Sequence, residues 1–128
     1  MIQCKHVKQA AQITDGHRVL VVRSWPGDMP KEALGGQWLP EAAPTADLHR
    51  AYRDGEIDYP EFSRRYRHEL AANPAYWWPL LDLAVTDTLT LLHSSGDCER
   101  NNAHVLAGWL EDELERLGPS SSPVCYAK

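Results

Sequence analysis

The chain has 128 residues, 43% hydrophobic and 24% charged, with five tryptophans and five tyrosines, which suits one folded domain and excludes a disordered polypeptide. The net charge of -5 is uneven, with ten basic and ten acidic side chains over 1–72 and three and eight over 73–128, so the counterion release that drives duplex binding is weak and nucleic acid is disfavoured. The longest aliphatic stretch, Val19 to Val22, is far short of the roughly 20 residues of a membrane span, and the Met1-Ile2-Gln3-Cys4-Lys5-His6 start lacks the apolar core of a secretory signal, so a cytoplasmic setting is expected.

In chain order, a first strand is expected around Ile2 to Lys8, followed by a turn at Thr14-Asp15-Gly16. Arg18-Val19-Leu20-Val21-Val22-Arg23 is a clearer strand, because an apolar run rich in β-branched valine and bounded by turn residues reads as buried on both faces. Residues 24–44 hold four prolines and three glycines and predict a long structured loop, of the length that usually carries function, anchored by Trp25, Trp38 and Leu39. Thr45 or Asp47 caps a short helix through Arg53 that Gly55 ends. Asp58, Pro60 and Glu61 open a second helix whose stripe is Phe62, Tyr66 and Leu70.

Asn73-Pro74 ends that helix and begins a third, with Trp77, Leu80, Leu81 and Ala84 along one side. Thr88 to His93 reads as a strand, and Ser94-Ser95-Gly96-Asp97 as the polar turn that ends it. From Cys98 to Leu117, apolar residues at spacings of three and four predict a helix of about five turns, stopped by Gly118-Pro119. The expected architecture is a single α/β domain over 1–117, a small mostly parallel central sheet with helices packed on its faces, followed by a flexible tail at 118–128. The long helical crossover between Arg23 and Thr88 is what parallel pairing requires.

Arg18-Val19-Leu20-Val21 with Arg23, Trp25 and Pro26, then Lys31-Glu32, Trp38-Leu39 and Ala43-Pro44, resembles the small bacterial YeaO-like proteins. The likeness continues through Glu61-Phe62, Arg65-Tyr66, Glu69-Leu70, Thr90-Leu91-Leu92, Asp97, Asn101, Ala103 and Val105-Leu106. It implies a compact α/β fold and a cytoplasmic setting, and carries no activity across. The chain departs from the family pattern at Val22, where an acid is usual, and at Gly27, where an arginine is usual. If those groups serve a shared function, this chain has lost it or takes a different ligand.

In open α/β sheets ligands bind beyond the carboxyl ends of the strands. One strand end presents Arg23, Ser24 and Trp25, and the other presents His93, Ser94, Ser95, Gly96 and Asp97, with Asn101 and Asn102 beginning the last helix. If the strands are parallel these sets meet. The expected ligand-binding residues are Arg23, Trp25, Ser94, Ser95, Asp97 and Asn101, with Arg23 gripping a small anionic metabolite and Trp25 giving an apolar wall. The competing reading pairs Arg23 with Asp97 as a structural bridge and needs no ligand.

No catalytic residue can be named: Cys98 at a helix start, with His93 or His104 as base, is the one nucleophile reading, and a peripheral thiol explains it more simply. Cys4, Cys98 and Cys125 show no C-x-x-C spacing and the six histidines no metal-binding pair, so neither disulfide, metal nor cofactor is expected. Arg50, Arg53, Arg64, Arg65 and Arg67 form the one basic concentration, and Glu61 and Glu69 flanking Arg65 make it a solvated face laced with ion pairs. The alternative to a ligand-binding protein is an interaction module without catalytic activity, meeting a partner through the acidic stretch from Glu111 to Arg116 or the proline-rich loop. A homodimer that hides Trp78 and Trp109 is a further expectation.

Overall fold

The computed structural model describes residues 1–117 except Asp28, Lys31, Ala33 and Cys98, so the expected tail at 118–128 and the Cys98 thiol lie outside the described residues. Strands β1 (Ile2–His6), β2 (His17–Leu20), β3 (Gln37–Trp38) and β4 (Leu89–His93) make one sheet in the order β1-β4-β2-β3. Every pairing is parallel, with Ile2 and His17 both opposite Leu89 and Val19 opposite Gln37. β4 lies between β1 and β2, and all five of its residues are buried, as its leucine-rich composition requires.

Among the described residues four α-helices follow β3, three of them in the crossover to β4 and one after β4: α1 (Ala46–Arg53), α2 (Tyr59–Ala72), α3 (Trp78–Thr86) and α4 (Asn102–Leu117). Thr45 caps α1 by accepting from the Leu48 N–H, and Asp58 caps α2 by accepting from the Glu61 N–H, which satisfies backbone donors that the first turn leaves free. Phe62, Tyr66 and Leu70 form the buried stripe of α2, and Leu80, Leu81 and Ala84 that of α3. Regular helix begins at Asn102 rather than Cys98, because Asp97 accepts from the N–H groups of Glu99 and Arg100 and holds a capped turn ahead of α4. Among the described residues no helix is long and apolar enough to cross a membrane.

The two faces of the sheet are covered differently. Val19, Val21, Leu89 and Leu91 share one core with residues from all four helices, including Phe62, Leu80 and Leu106. On the other face Leu20 and Leu92 meet Val7, Leu34, Val22, Trp25 and Met29, so loop rather than helix covers that side. The valine run is indeed buried on both faces, and the long loop is the second cover.

That second face also carries charge. Asp15, 1% exposed, accepts from Arg18 Nη1 at 2.5 Å and from Lys5 Nζ at 3.1 Å, and Thr90 donates its hydroxyl to the Asp15 carbonyl. Burial raises the Asp15 carboxyl, but hydrogen bonds from the Gln12 N–H, Lys5 and Arg18, with the Lys5 charge, outweigh it and leave the group below the usual carboxylate range.

β2 is shorter than the 18–23 run. The Val21 N–H still donates to the Leu92 carbonyl, and beyond it β4 ends at His93, so Val22 and Arg23 leave the sheet. β3 falls inside the segment expected to be loop. Gly36 lets it approach, since a Cβ there would stand 2.3 Å from the Arg18 carbonyl oxygen.

Candidate functional site

Parallel strands deliver the ends of β2 and β4 to one edge, and a cleft of about 590 Å³ opens there between them and α1. Arg23 lines it as the chain leaves β2, and Ser94 and Ser95 line it as the chain leaves β4. Arg23 donates from Nε to the Pro44 carbonyl at 2.9 Å and from Nη2 to the Ala43 carbonyl at 3.1 Å. These bonds fix the guanidinium plane without neutralising its charge. The carbonyl row is itself braced, because the buried Tyr66 hydroxyl donates to the Ala42 carbonyl.

The β4 side is held by two local bonds. His93, 2% exposed, accepts the Ser95 N–H on Nδ1 at 3.3 Å, and the Ser95 hydroxyl oxygen accepts the Asp97 N–H at 3.0 Å. Burial, then the nearby His6 and His104 rings, hold His93 down to about 4, so at neutral pH its imidazole is uncharged and able to accept. Asn102, at the start of α4, donates from Nδ2 to the Val21 carbonyl at 2.6 Å and adds a polar side chain to the wall.

α1 supplies the third wall. Ala46, His49, Arg50 and Arg53 follow the helical spacing of three and four, so all four lie on the stripe that faces the cleft, while Leu48 is turned into the core. Arg50 pairs with Asp47 at 2.7 Å and Arg53 with Asp54 at 3.4 Å, both on exposed side chains. Lost hydration and then the Arg53 charge keep His49 below the usual imidazole range. Among the described residues lining the cleft there is no carboxylate and no cysteine.

Of the residues expected to meet a ligand, Arg23, Ser94 and Ser95 come together here. Trp25 points to the other face of the sheet, edge-on to Trp38 at 5.4 Å, with its indole N–H donated to the Met29 carbonyl. Asp97 holds the turn before α4 and pairs with Arg100 at 3.2 Å, not with Arg23. Asn101 is 2% exposed, donates to the Asp97 carbonyl and accepts from the His104 N–H. Those three therefore do not line the cleft.

His49, Arg50 and Arg53 are the cleft residues that sequence reasoning places elsewhere. Arg50 and Arg53, taken with Arg64, Arg65 and Arg67 as one basic concentration, read as a solvated face, and His49 as an isolated surface histidine; the helical stripe through Ala46, His49, Arg50 and Arg53 is the signal that separates them. Farther along, Glu61 does hold Arg64 and Arg65 and Asp112 holds Arg67, whereas Glu69, expected to flank Arg65, accepts instead from the Thr45 N–H and hydroxyl. Cys4 offers no nucleophile, since burial and then the Glu111 charge push its thiol up to about 11. Among the described residues no group of three or more His, Cys, Asp or Glu is arranged to hold a metal ion.

Residues 1–127 match the family described as the inactive DUF488-N3 subclade. The chain is 39% identical over 110 residues to the uncharacterized protein YeaO of Escherichia coli (strain K12), an alignment covering 85% of this chain and 96% of that protein. It is 33% identical over 94 residues to the uncharacterized proteins Rv3073c of Mycobacterium tuberculosis (strain ATCC 25618 / H37Rv) and Mb3100c of Mycobacterium bovis (strain ATCC BAA-935 / AF2122/97), covering 73% of this chain and 79% of each of them. No solved structure matches it. On the strength of a match along almost its whole length, the chain belongs to the YeaO-like proteins, within the inactive DUF488-N3 subclade.

Proposed function

We propose that this protein binds a small anionic metabolite at the carboxyl edge of its sheet, with Arg23 as anchor and Ser94 and Ser95 as neighbouring donors. The observation that carries the reading is the convergence of Arg23, Arg50, Arg53 and His49 on one cleft whose described lining holds no carboxylate. An arginine fixed by carbonyl acceptors keeps its charge available and its fork oriented, which favours bidentate capture of a carboxylate or phosphate. Binding without turnover is the reading we adopt, because no carboxylate in the described lining orients His49 as a base. The family description as inactive agrees with that.

The test is a thermal-shift screen of anionic metabolites on the wild type and on Arg23→Gln. A ligand that raises the wild-type melting temperature and fails to raise that of the variant supports the reading. An equal rise in both proteins refutes Arg23 as anchor.

The setting we propose is the cytoplasm, with nucleic acid disfavoured because the chain carries a net charge of -5. A second reading, an interaction module or homodimer, draws on Trp78, which is 46% exposed next to Trp77. Trp109, the other indole expected at such a contact, is half-buried against Trp77. Light scattering on the eluting protein tests it: a monomer mass across all loading concentrations removes the homodimer.

A further inference from the structure

The make-up of the cleft says more about its ligand than that it is negative, and the choice among anions rests on the anion-binding function proposed for this site. Arg23 alone matches a monoanion, because its fork is already oriented and the described lining sets no carboxylate against it. The two arginines of α1 are then surplus, unless the ligand carries more charge. They are also available: Asp47 and Asp54, their partners, are 87% and 46% exposed, and exposed ion pairs of this kind are weak enough to yield to a better acceptor. Arg50 and Arg53 are one helical turn apart, with His49 on the same stripe, a spacing that addresses several oxygens of one group.

The rest of the lining is apolar or neutral. Ala43, Pro44 and Tyr52 form part of the wall, and Tyr52 is held rigid by stacking on Phe62 at 4.6 Å and 20°. A volume of about 590 Å³ leaves space for carbon beside a single tetrahedral anion. We propose that the ligand is a phosphate monoester, its dianionic phosphoryl group gripped between Arg23 on one side and Arg50 and Arg53 on the other, with its organic part against Pro44 and Tyr52. A diester or a simple carboxylate leaves one guanidinium wall unused.

Isothermal titration of the whole chain at low salt, with phenyl phosphate, phenyl methyl phosphate and inorganic phosphate as probes, separates these chemistries. The expected result is that phenyl phosphate binds at least roughly tenfold more tightly than phenyl methyl phosphate, the scale of one charge-assisted hydrogen bond, and more tightly than inorganic phosphate. Arg50→Gln/Arg53→Gln, which alters only exposed side chains, should bring the two esters to similar affinity, while Arg23→Gln weakens both. Equal binding of monoester and diester by the wild type, with loss on Arg23→Gln, overturns the dianion proposal and leaves the anion site standing. Inorganic phosphate binding as tightly as phenyl phosphate overturns the ester part. No binding of any probe removes both the proposal and the site on which it rests.

Discussion

Replacing Asp15 with asparagine should unfold this protein far more readily than any surface change, and the reason is local charge balance. The carboxylate is 1% exposed and accepts from Arg18 Nη1 at 2.5 Å and Lys5 Nζ at 3.1 Å, whose side chains are only 5% and 15% exposed. Arg18 Nε is already buried without a hydrogen-bond partner among the described residues, so the guanidinium has no spare acceptor to turn to once the Asp15 charge is gone. Breaking a buried pair by removing one partner costs about 3–5 kcal/mol, and the amide oxygen that asparagine retains places Asp15→Asn near the lower limit. At roughly 4 °C per kcal/mol for a domain of this size, the melting temperature should fall by about 12 °C.

Differential scanning calorimetry across pH supplies a second check. The folded carboxyl is held below its unfolded value, so its contribution is fully present above about pH 4 and is lost as pH falls through the folded value. The wild type and Asp15→Asn should therefore converge in acid. Adding Arg18→Met should recover about 1 kcal/mol or more relative to additivity, because the stranded cation goes with its partner. A single variant melting within about 2 °C of wild type at neutral pH would refute the account, since that equals only about half a kcal/mol.

Three further outcomes concern the cleft and the helix core. His49 is held below the ordinary imidazole range, so its neutral form favours folding above about pH 6.5 and that contribution is lost as pH falls through the folded value. A bound anion reverses the local field, so sulfate, whose charge is fixed over this range, should bind more tightly as pH falls from about 8 to about 6, with proton uptake that His49→Gln abolishes in titrations run in two buffers. Val22 lines the same cleft, and Val22→Asp should lower the affinity for sulfate at least about tenfold by setting a carboxylate beside the guanidiniums, which equilibrium titration measures. Leu106→Ala, at a residue 0% exposed in the helix-side core, should cost about 2–5 kcal/mol in urea unfolding with little change in slope.

Periodicity makes most of the fold legible. The stripe of Phe62, Tyr66 and Leu70, the Asp58 cap and the buried Leu89 to His93 strand all come from local rules that the tertiary structure does not override. β3 is not legible, because two residues cannot display alternation and its place depends on Gly36 admitting the Arg18 backbone. The covering of the second face is hidden for a related reason: Trp25, Met29 and Leu34 come from a loop with no period at all. In the site, the strand ends are readable as a pair from topology, whereas Trp25 escapes that reading because the chain leaves β2 after Val21 and turns toward Trp38.

The hydrogen bonds that orient Arg23 also join the exit of β2 to the entry of α1, through the Ala43 and Pro44 carbonyls just before the Thr45 cap. Asn102 does the same on the opposite wall, tying the start of α4 to the Val21 carbonyl. The residues most central to the cleft are therefore also fasteners of its walls, and losing them mixes a structural effect with a binding one. Arg50 and Arg53 pair only with their exposed neighbours Asp47 and Asp54 among the described residues. Their charge can be removed while the walls stay in place, so the difference between Arg23 variants and α1 variants separates a cleft that grips a ligand from one that merely closes a joint.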